Sequence, residues 1–207
     1  MKSLAVFLLL LTGCFLIGCQ PDPPAAPAAA TPPAPATPGH VARALIVTSA
    51  GQIEVELYTD QAPRTVANFI ALVKQGFYTG LIFHRVANLD GGGISHVIQA
   101  GGFDQEGRQK PSPLGQVPLE ISPSLTHVNG ALAMARGSDP NSASSQFYIC
   151  DGPHPFLDRN YAVFGKVTQG MDIVRAIATA PKTNRGGAFT DLPVPLIVIR
   201  EVRIISE

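Results

Sequence analysis

Two stretches of the sequence, Leu81-Ile-Phe-His-Arg-Val86 and His96-Val-Ile-Gln-Ala-Gly-Gly-Phe103, predict neighbouring strands that carry converging polar groups. Side chains alternate between the two faces of a strand, so Phe83 and Arg85 are expected on the same face of the first strand. In the second strand Gln99 lies on one face, and two glycines then end the regular pattern. The two strands can therefore present Arg85 and Gln99 side by side.

The composition indicates one globular domain. The chain has 207 residues, of which 45% are hydrophobic and 14% charged, which suffices for one sizeable core and is too short to expect two. Fifteen basic residues balance fifteen acidic ones, and no run of Lys or Arg is present. This balance gives no indication of a nucleic-acid surface or of a polybasic membrane patch.

Residues 1–18 are typical of a secretory signal, because Lys2 precedes an apolar run that is too short to span a bilayer comfortably. The run ends in Leu16-Ile-Gly-Cys19, which resembles the lipobox of bacterial lipoproteins and predicts lipidation of Cys19. Other interpretations are an ordinary cleaved signal, an uncleaved anchor, and lipidation at Cys14. The residue after Cys19 is Gln20 rather than Asp, which resembles the bacterial sorting pattern for the outer membrane. We therefore expect the protein on the periplasmic side of the bacterial outer membrane.

Residues 19–40 combine the lipidated cysteine with a linker made almost entirely of Pro, Ala and Thr. Such a composition cannot bury enough apolar surface to fold, and it favours a semi-extended chain. At about 3.1 Å per residue, the linker could hold a domain up to about 60 Å from the lipid surface. The globular domain is predicted over residues 41–207.

The rest of the chain alternates short apolar runs with turn residues. Ala50-Gly51 separates the two strands of a predicted hairpin, and Pro63 and Gly76 bound a helix with apolar residues at helical spacing. A second helix is predicted over 171–179. The predicted strands cover 44–49, 52–58, 81–87, 96–101, 117–121, 130–135, 145–150, 161–167 and 195–205. This pattern favours an all-β barrel or sandwich with two helices over its openings, because closure removes unpaired strand edges.

Five motifs occur in the order found in the cyclophilin family of peptidyl-prolyl cis-trans isomerases, which the sequence resembles from Arg43 to its last residue. The motifs are Phe83-His-Arg-Val86, Val97-Ile-Gln-Ala-Gly-Gly-Phe103, Gly130-Ala-Leu-Ala-Met-Ala-Arg136, Ser144-Ser-Gln-Phe-Tyr-Ile149 and Tyr161-Ala-Val-Phe-Gly-Lys-Val167. The resemblance implies an eight-stranded closed antiparallel β-barrel capped by two α-helices, with the active groove on its outer face. It also implies prolyl isomerase (rotamase) activity.

The residue types at the centre suit this reaction. Rotation about an Xaa-Pro bond has a barrier of about 18–20 kcal/mol because twisting removes amide resonance, and it needs no nucleophile. In the twisted state the proline nitrogen regains a lone pair, to which a fixed guanidinium can donate a hydrogen bond that the planar state cannot accept. Arg85 is therefore the predicted donor. Gln99 is predicted to hold the carbonyl that precedes the proline with its amide group.

The resemblance further implies a set of substrate-binding residues. They are the proline pocket (His96, Val97, Tyr148 and Leu157), the groove rim (Phe156 and Tyr161) and the main-chain contacts (Ala135, Arg136 and Gln146). Phe83 completes the predicted set because it is expected on the same strand face as Arg85. Phe147 is not included, because it is expected on the strand face opposite Tyr148.

The sequence departs from the family pattern in three places: His96 and Tyr148 each replace a phenylalanine of the pocket, and residues 88–95 contain an insertion. An unsatisfied buried hydroxyl costs about 1–3 kcal/mol, so we expect Tyr148 and His96 to form a polar contact. Turnover would then depend on pH near the ordinary histidine pKa of about 6.5. Strand alternation by itself places His96 on the face opposite Val97 and Gln99.

Other reactive side chains are assigned structural roles. His84 is expected to be a hydrogen-bonded core histidine, and Cys150 a buried thiol. Five histidines without tight spacing predict no metal site, and no motif predicts a cofactor. The sequence thus predicts a monomeric isomerase that acts on proline-containing polypeptides, assists the folding of exported proteins and touches the membrane only through its lipid. The alternative is a peptide-binding or chaperone module that keeps the groove but has little turnover.

Overall fold

The computed structural model describes residues 41–92 and 95–207; the predicted signal 1–18 and the linker 19–40 with Cys19 lie outside the described residues. The strands in this part of the chain are Val41–Thr48 (β1), Gln52–Tyr58 (β2), Leu81–Asn88 (β3), His96–Asp104 (β4), Ala131–Met134 (β5), Phe147–Asp151 (β6), Val163–Gln169 (β7), Lys182–Thr183 (β8), Leu192–Pro193 (β9) and Ile197–Ser206 (β10). The α-helices are Pro63–Lys74 (α1) and Met171–Ala178 (α2), and Pro155–Leu157 and Gly187–Phe189 form short 3₁₀ turns.

Eight strands close into an antiparallel barrel in the order β1-β10-β3-β4-β6-β5-β7-β2. Helix α1 contacts β10 and β2, and α2 contacts β4, β6 and β2. The predicted closed eight-stranded barrel with two helices is therefore confirmed. Within residues 41–92 and 95–207, no helix is both long and apolar enough to cross a membrane.

The barrel interior follows from the alternation of apolar and polar residues. Strand β2 shows the pattern most simply, because Ile53, Val55 and Leu57 are completely buried while the glutamates between them are not. Aromatic rings fill the centre, where Phe69 of α1 lies 5.7 Å from Phe147 between ring centroids and 5.4 Å from Phe164. Burial of apolar side chains such as these supplies the hydrophobic driving force for the fold.

The start of helix α1 is capped by a distant loop. Ala62 precedes the helix and provides no side-chain cap. The carboxylate of Glu120 instead accepts hydrogen bonds from the backbone N–H groups of Arg64 at 3.1 Å and Thr65 at 2.7 Å. Negative charge is favourable at a helix N-terminus, so this contact stabilises α1 and fixes the long connection that carries Glu120.

One strand prediction needs correction, and two short strands were missed. The predicted strand 117–121 is absent from the described structure, because Pro118 has no N–H to donate to a ladder; Val117 forms only an isolated bridge with Ala143. The small sheet of β8 and β9 was not predicted from the sequence. Strands of two residues are too short to show any periodicity.

Candidate active site

A β-bulge in β3 sets the direction of Arg85. Phe83 pairs with Ala100 and Arg85 pairs with Gln99, so two steps along β3 oppose one step along β4, and His84 is the extra residue. Phe83 is fully buried in the barrel core, whereas Arg85 faces outward. The prediction that Phe83 shares a face with Arg85 and binds substrate is therefore wrong, because the bulge shifts the alternation by one residue.

An open groove of about 320 Å³ lies where Arg85 faces outward. It brings together nine predicted site residues and one further residue, Leu89: Arg85, Val97, Gln99, Ala135, Arg136, Tyr148, Phe156, Leu157 and Tyr161. We call the buried side chains beneath it the floor cluster: Ala87, Val97, Ala131, Ala133, Tyr148, Cys150, Leu157 and Val163. The groove thus has an apolar floor with polar groups along its edge.

The guanidinium of Arg85 is available to a ligand. Its side chain is 37% exposed, and its Nε lies 3.9 Å from Oδ2 of Asp191. This separation is too long for a hydrogen bond, so the pair is a loose ion pair between two partly solvated groups. The N–H groups of Arg85 can therefore donate to an acceptor that enters the groove.

Gln99 is held in place by Gln146. The amide Nε2 of Gln99 donates to Oε1 of Gln146 at 2.9 Å, which leaves a second N–H of Gln99 to donate. The Gln146 side chain lies against Gly102, where a Cβ atom would come within 2.6 Å of it. A side chain at position 102 would therefore displace the Gln146 side chain from this position. Gln146 itself orients Gln99 and lines a neighbouring cavity rather than the groove.

That second open cavity, also about 320 Å³, shares Arg85 and Gln99 with the groove. His84 lines it and is buried against Phe103, with 4.8 Å between ring centroids. Burial lowers the pKa of His84 to about 4. His84 is thus a buried histidine, as expected, and a hydrogen bond with the backbone of Ile82 opposes part of this pKa shift, while its Nδ1 has no partner among the described residues.

The far rim of the groove is formed around Arg136. Its guanidinium lies over the ring of Tyr161, 4.6 Å from the centroid, and Nε donates to the carbonyl of Asn160 at 3.1 Å. The backbone N–H of Ala135 donates to the carbonyl of Gln146 at 2.9 Å. That N–H is thus already used by the protein, and the carbonyl of Ala135 is the group at this residue that can bind a peptide main chain.

The hydroxyl of Tyr148 binds His127 and not His96, so the expected contact between Tyr148 and His96 is wrong. The Tyr148 oxygen lies 2.9 Å from Nε2 of His127, whose Nδ1 lies 2.7 Å from Oδ1 of Asp158. Burial lowers the pKa of His127, although Asp158 opposes this shift, and burial raises the pKa of Tyr148. A neutral His127 donates from Nδ1 to Asp158 and accepts the Tyr148 proton at Nε2.

His96 lies outside the groove. It pairs with Asn88 and Asp151, and its carbonyl accepts a hydrogen bond from Nε2 of His154 at 3.0 Å. Regular pairing through His96 keeps its side chain on the face opposite Val97, which belongs to the floor cluster. The placement of His96 in the pocket by resemblance is therefore wrong, and the placement by strand alternation is right.

Leu89, His127 and Asp158 are site residues that the sequence analysis missed. The alternation that begins at Arg85 and continues through Ala87 could have indicated Leu89, which packs against the floor cluster. Nothing in the sequence joins His127 to Asp158, because the two are 31 positions apart in irregular segments. Contacts of this kind depend on how the loops fold over the barrel.

The described groups favour noncovalent chemistry at the groove. Among the side chains that the structure places, no three of His, Cys, Asp and Glu lie close enough together to hold a metal ion. Cys150 is completely buried in the floor cluster, and burial raises the pKa of its thiol to about 12. A thiol with this pKa stays protonated and is not a nucleophile. Arg85 and Gln99 can instead donate hydrogen bonds to a backbone whose apolar ring contacts the floor.

The closed barrel with this outer groove defines a cyclophilin-like protein. The structure is similar to a crystal structure of a cyclophilin type peptidyl-prolyl cis-trans isomerase from Cryptosporidium parvum, with a TM-score of 0.66 and 28% identity, over 81% of this chain and 99% of that one. A structure of the Cryptosporidium protein in the presence of the dipeptide Ala-Pro gives a TM-score of 0.65 and 29% identity, over 80% and 99% of the two chains.

The sequence profile of the family described as "Cyclophilin type peptidyl-prolyl cis-trans isomerase/CLD" matches residues 43–204, and the chain belongs to this family. It is 41% identical to the peptidyl-prolyl cis-trans isomerase cyp18 of Streptomyces antibioticus, over 77% of this chain and 96% of that protein. It is 42% identical to a peptidyl-prolyl cis-trans isomerase of Acinetobacter baylyi, over 77% and 83% of the two chains. The prediction of a peptidyl-prolyl isomerase is thereby confirmed.

Proposed function

We propose that the groove isomerises Xaa-Pro bonds with Arg85 as the donor to the proline nitrogen and Gln99 as the group that holds the preceding carbonyl. One observation carries this assignment: Arg85 and Gln99 are paired in register beside the apolar floor, and the ion pair of Arg85 with Asp191, the one that it forms within the described residues, is loose at 3.9 Å. A guanidinium that is already positioned and not bound in a tight ion pair can stabilise the pyramidal nitrogen with little reorganisation.

The magnitudes require more than one contact. A rate enhancement of about a millionfold needs about 8 kcal/mol, since about 1.4 kcal/mol is a factor of ten. Loss of a single preorganised donor typically costs about 2.7–4 kcal/mol. We assign the rest to Gln99, which holds the preceding carbonyl in the geometry that the twisted bond requires, while Val97, Tyr148 and Leu157 bind the proline ring in both states.

The alternative of a binding module with little turnover is not favoured. That alternative requires the departures from the family pattern at His96, at Tyr148 or in the insertion at 88–95 to impair turnover. His96 lies outside the groove, and the Tyr148 hydroxyl is directed at His127, so neither change removes the apolar floor.

In the cell, we infer that this enzyme accelerates the folding of exported proteins as a monomer on the periplasmic side of the outer membrane. Uncatalysed prolyl isomerisation takes about 10–100 s, which is slow enough to limit folding. The sequence supports this location through the predicted signal 1–18, the lipobox cysteine Cys19 and the linker that continues to residue 40. A tethered domain would reach proline-containing polypeptides as they emerge into the periplasm.

Protease-coupled turnover of an Ala-Pro-Phe type peptide tests the activity, because the protease cleaves only the trans form. We expect single-exponential release whose rate rises linearly with enzyme concentration. A rate equal to the uncatalysed one at micromolar enzyme would contradict the proposed function.

Membrane fractionation tests the location separately. Replacing the lipobox cysteine, Cys19→Ser, should release the protein from salt-washed membranes, while the matched variant Cys14→Ser should remain bound. Retention of the Cys19→Ser variant on the membranes would contradict anchoring through Cys19.

A further inference from the structure

The outer edge of the groove is extended by the residue that follows β3. Arg85 and Ala87 both lie on the outer face of the barrel, and Leu89 continues this alternation immediately after β3 ends at Asn88. Leu89 is half-buried, lines the groove and packs against the floor cluster. Its side chain is therefore a wall of the groove rather than part of a solvated loop tip.

The pairing of β3 with β4 directs the side chain of His96 away from the groove. Asn88 pairs with His96, which lies on the face opposite Val97 and Gln99. The side chain at position 96 therefore cannot form the wall next to Val97 while the ladder stays regular. Burial lowers the pKa of His96, and the titratable groups that face it are Lys182, Asp151, Asp90 and His154, none of which lines the groove.

Local hydrogen bonds hold the chain on both sides of Leu89. Nδ2 of Asn88 donates to the carbonyl of Ser95 at 3.2 Å, and Oδ1 of Asp90 accepts from the backbone N–H of Gly92 at 2.9 Å. These bonds fix the residues before and after Leu89 in a turn. Leu89 is thus presented to the groove from a structured segment.

We propose that Leu89 is a substrate-binding residue that forms the wall of the proline pocket in place of the side chain at position 96. The inference rests on the proposed function, because it assigns a residue to the same groove. The ligand it contacts is the apolar ring of proline, since Leu89 faces the same space as Val97, Tyr148 and Leu157. A proline ring suits this wall because both are aliphatic and neither has a polar side-chain atom that needs a hydrogen bond.

The contact should act on binding rather than on the chemical step. An aliphatic side chain packs equally well on the ring of the planar and of the twisted substrate, whereas Arg85 donates to a nitrogen lone pair that only the twisted state presents. Loss of Leu89 should therefore raise KM and leave kcat nearly unchanged.

The test compares Leu89→Ala with Leu114→Ala, which removes an exposed leucine that does not line the groove. We expect the Leu89→Ala variant to raise KM by about fivefold to tenfold with kcat within about twofold of the parent, and the Leu114→Ala variant to change neither. Leu89→Met should keep KM within about twofold, because methionine fills a similar volume. A KM for Leu89→Ala equal to that of the parent would overturn the proposal.

Position 96 gives a second, independent test. We expect His96→Phe to leave KM unchanged and to give no recovery in the Leu89→Ala background, since residue 96 faces away from the pocket. Recovery of the parental KM by the double variant would show that position 96 forms the wall and would overturn the proposal.

Peptide binding measured by NMR titration separates this proposal from the proposed function. If the parent binds the Ala-Pro-Phe type peptide without turning it over, the proposed function fails, and a weaker Kd for Leu89→Ala still supports the role of Leu89. If the parent turns the peptide over and Leu89→Ala binds it as tightly as the parent does, only the role of Leu89 fails. A parent that neither binds nor turns over the peptide contradicts both.

Discussion

The two faces of the barrel wall near the groove are built from different side chains. On the inner face of β6, Phe147 packs with the aromatic rings of Phe69, Tyr78 and Phe83. On the outer face the floor cluster consists mainly of alanine and valine, with Tyr148 as its one aromatic ring among the described residues. Large interdigitated rings fill a closed volume, whereas small side chains leave a concave surface that a ligand can enter.

The two faces also differ in how they satisfy a buried phenol. Inside the barrel, Tyr78 donates to the backbone carbonyl of Ser145 at 3.1 Å. Outside, Tyr148 donates to His127, and His127 in turn donates to Asp158. The inner face thus relies on a fixed backbone acceptor, and the outer face on a chain of side chains that ends at a partly exposed carboxylate.

The largest effect on stability should come from the inner face. Phe147→Ala removes a ring packed between Phe69 and Tyr78, and we expect the free energy of unfolding to fall by about 3–5 kcal/mol. The matched variant Phe156→Ala, at a groove residue that is 52% exposed, should change it by less than about 0.5 kcal/mol. Urea denaturation measures both values. Similar losses for the two variants would contradict the division into a packed inner face and an open outer face.

The largest effect on activity should come from the outer face. Arg85→Ala should lower kcat/KM by about 100-fold to 1000-fold, because the twisted state loses its donor. Its free energy of unfolding should stay within about 0.5 kcal/mol of the parent, since the side chain is 37% exposed. Arg43→Ala, which removes only a surface ion pair with Glu54, is the control and should change neither quantity. An unchanged kcat/KM for Arg85→Ala would rule out the assigned role.

Lowering the pH should lower the free energy of unfolding through His84, the bulge residue of β3. Burial lowers the pKa of folded His84 to about 4, so between about pH 6.5 and pH 4 the unfolded state binds the proton and the folded state does not. The contribution of His84 to the free energy of unfolding does not change above about pH 6.5. Below that pH the free energy of unfolding should fall by about 1.4 kcal/mol per pH unit, which amounts to about 3 kcal/mol by pH 4. Urea denaturation at pH 7, 5.5 and 4.5 tests the slope. The variant His84→Gln should show a shallower slope than the parent, and equal slopes would refute the assignment.

The smallest expected effect concerns the phenol on the outer face. Tyr148→Phe leaves Nε2 of the buried His127 without its partner, and we expect a loss of about 1–3 kcal/mol in the free energy of unfolding. Adding His127→Leu should cost less than the sum of the two single changes, because both partners are then apolar. Strict additivity in this double-mutant cycle would show that the hydrogen bond contributes nothing to stability.

Much of the fold was readable because it depends on periodicity. Alternation in β2 and helical spacing in α1 identified their buried residues, and the order of five motifs identified the closed barrel. The bulge was not readable, because an extra residue such as His84 needs no glycine or other marker. The partner of Tyr148 was also misassigned. The resemblance placed His96 in the same pocket as Tyr148, whereas the observed partner, His127, lies in an irregular loop that shows no sequence pattern.

The bulge gives position 84 a different role from its neighbours in β3 when the chain is shortened. Phe83 and Arg85 lie opposite the consecutive residues Ala100 and Gln99, so deletion of residue 84 would leave them as adjacent residues on opposite faces, with Arg85 still outside the barrel. Deletion of the regularly paired Val86 would instead place Arg85 next to Ala87, which faces the same side, and would reverse the faces of the residues on one side of the gap. A screen of single-codon deletions along β3 should therefore show its greatest tolerance at position 84.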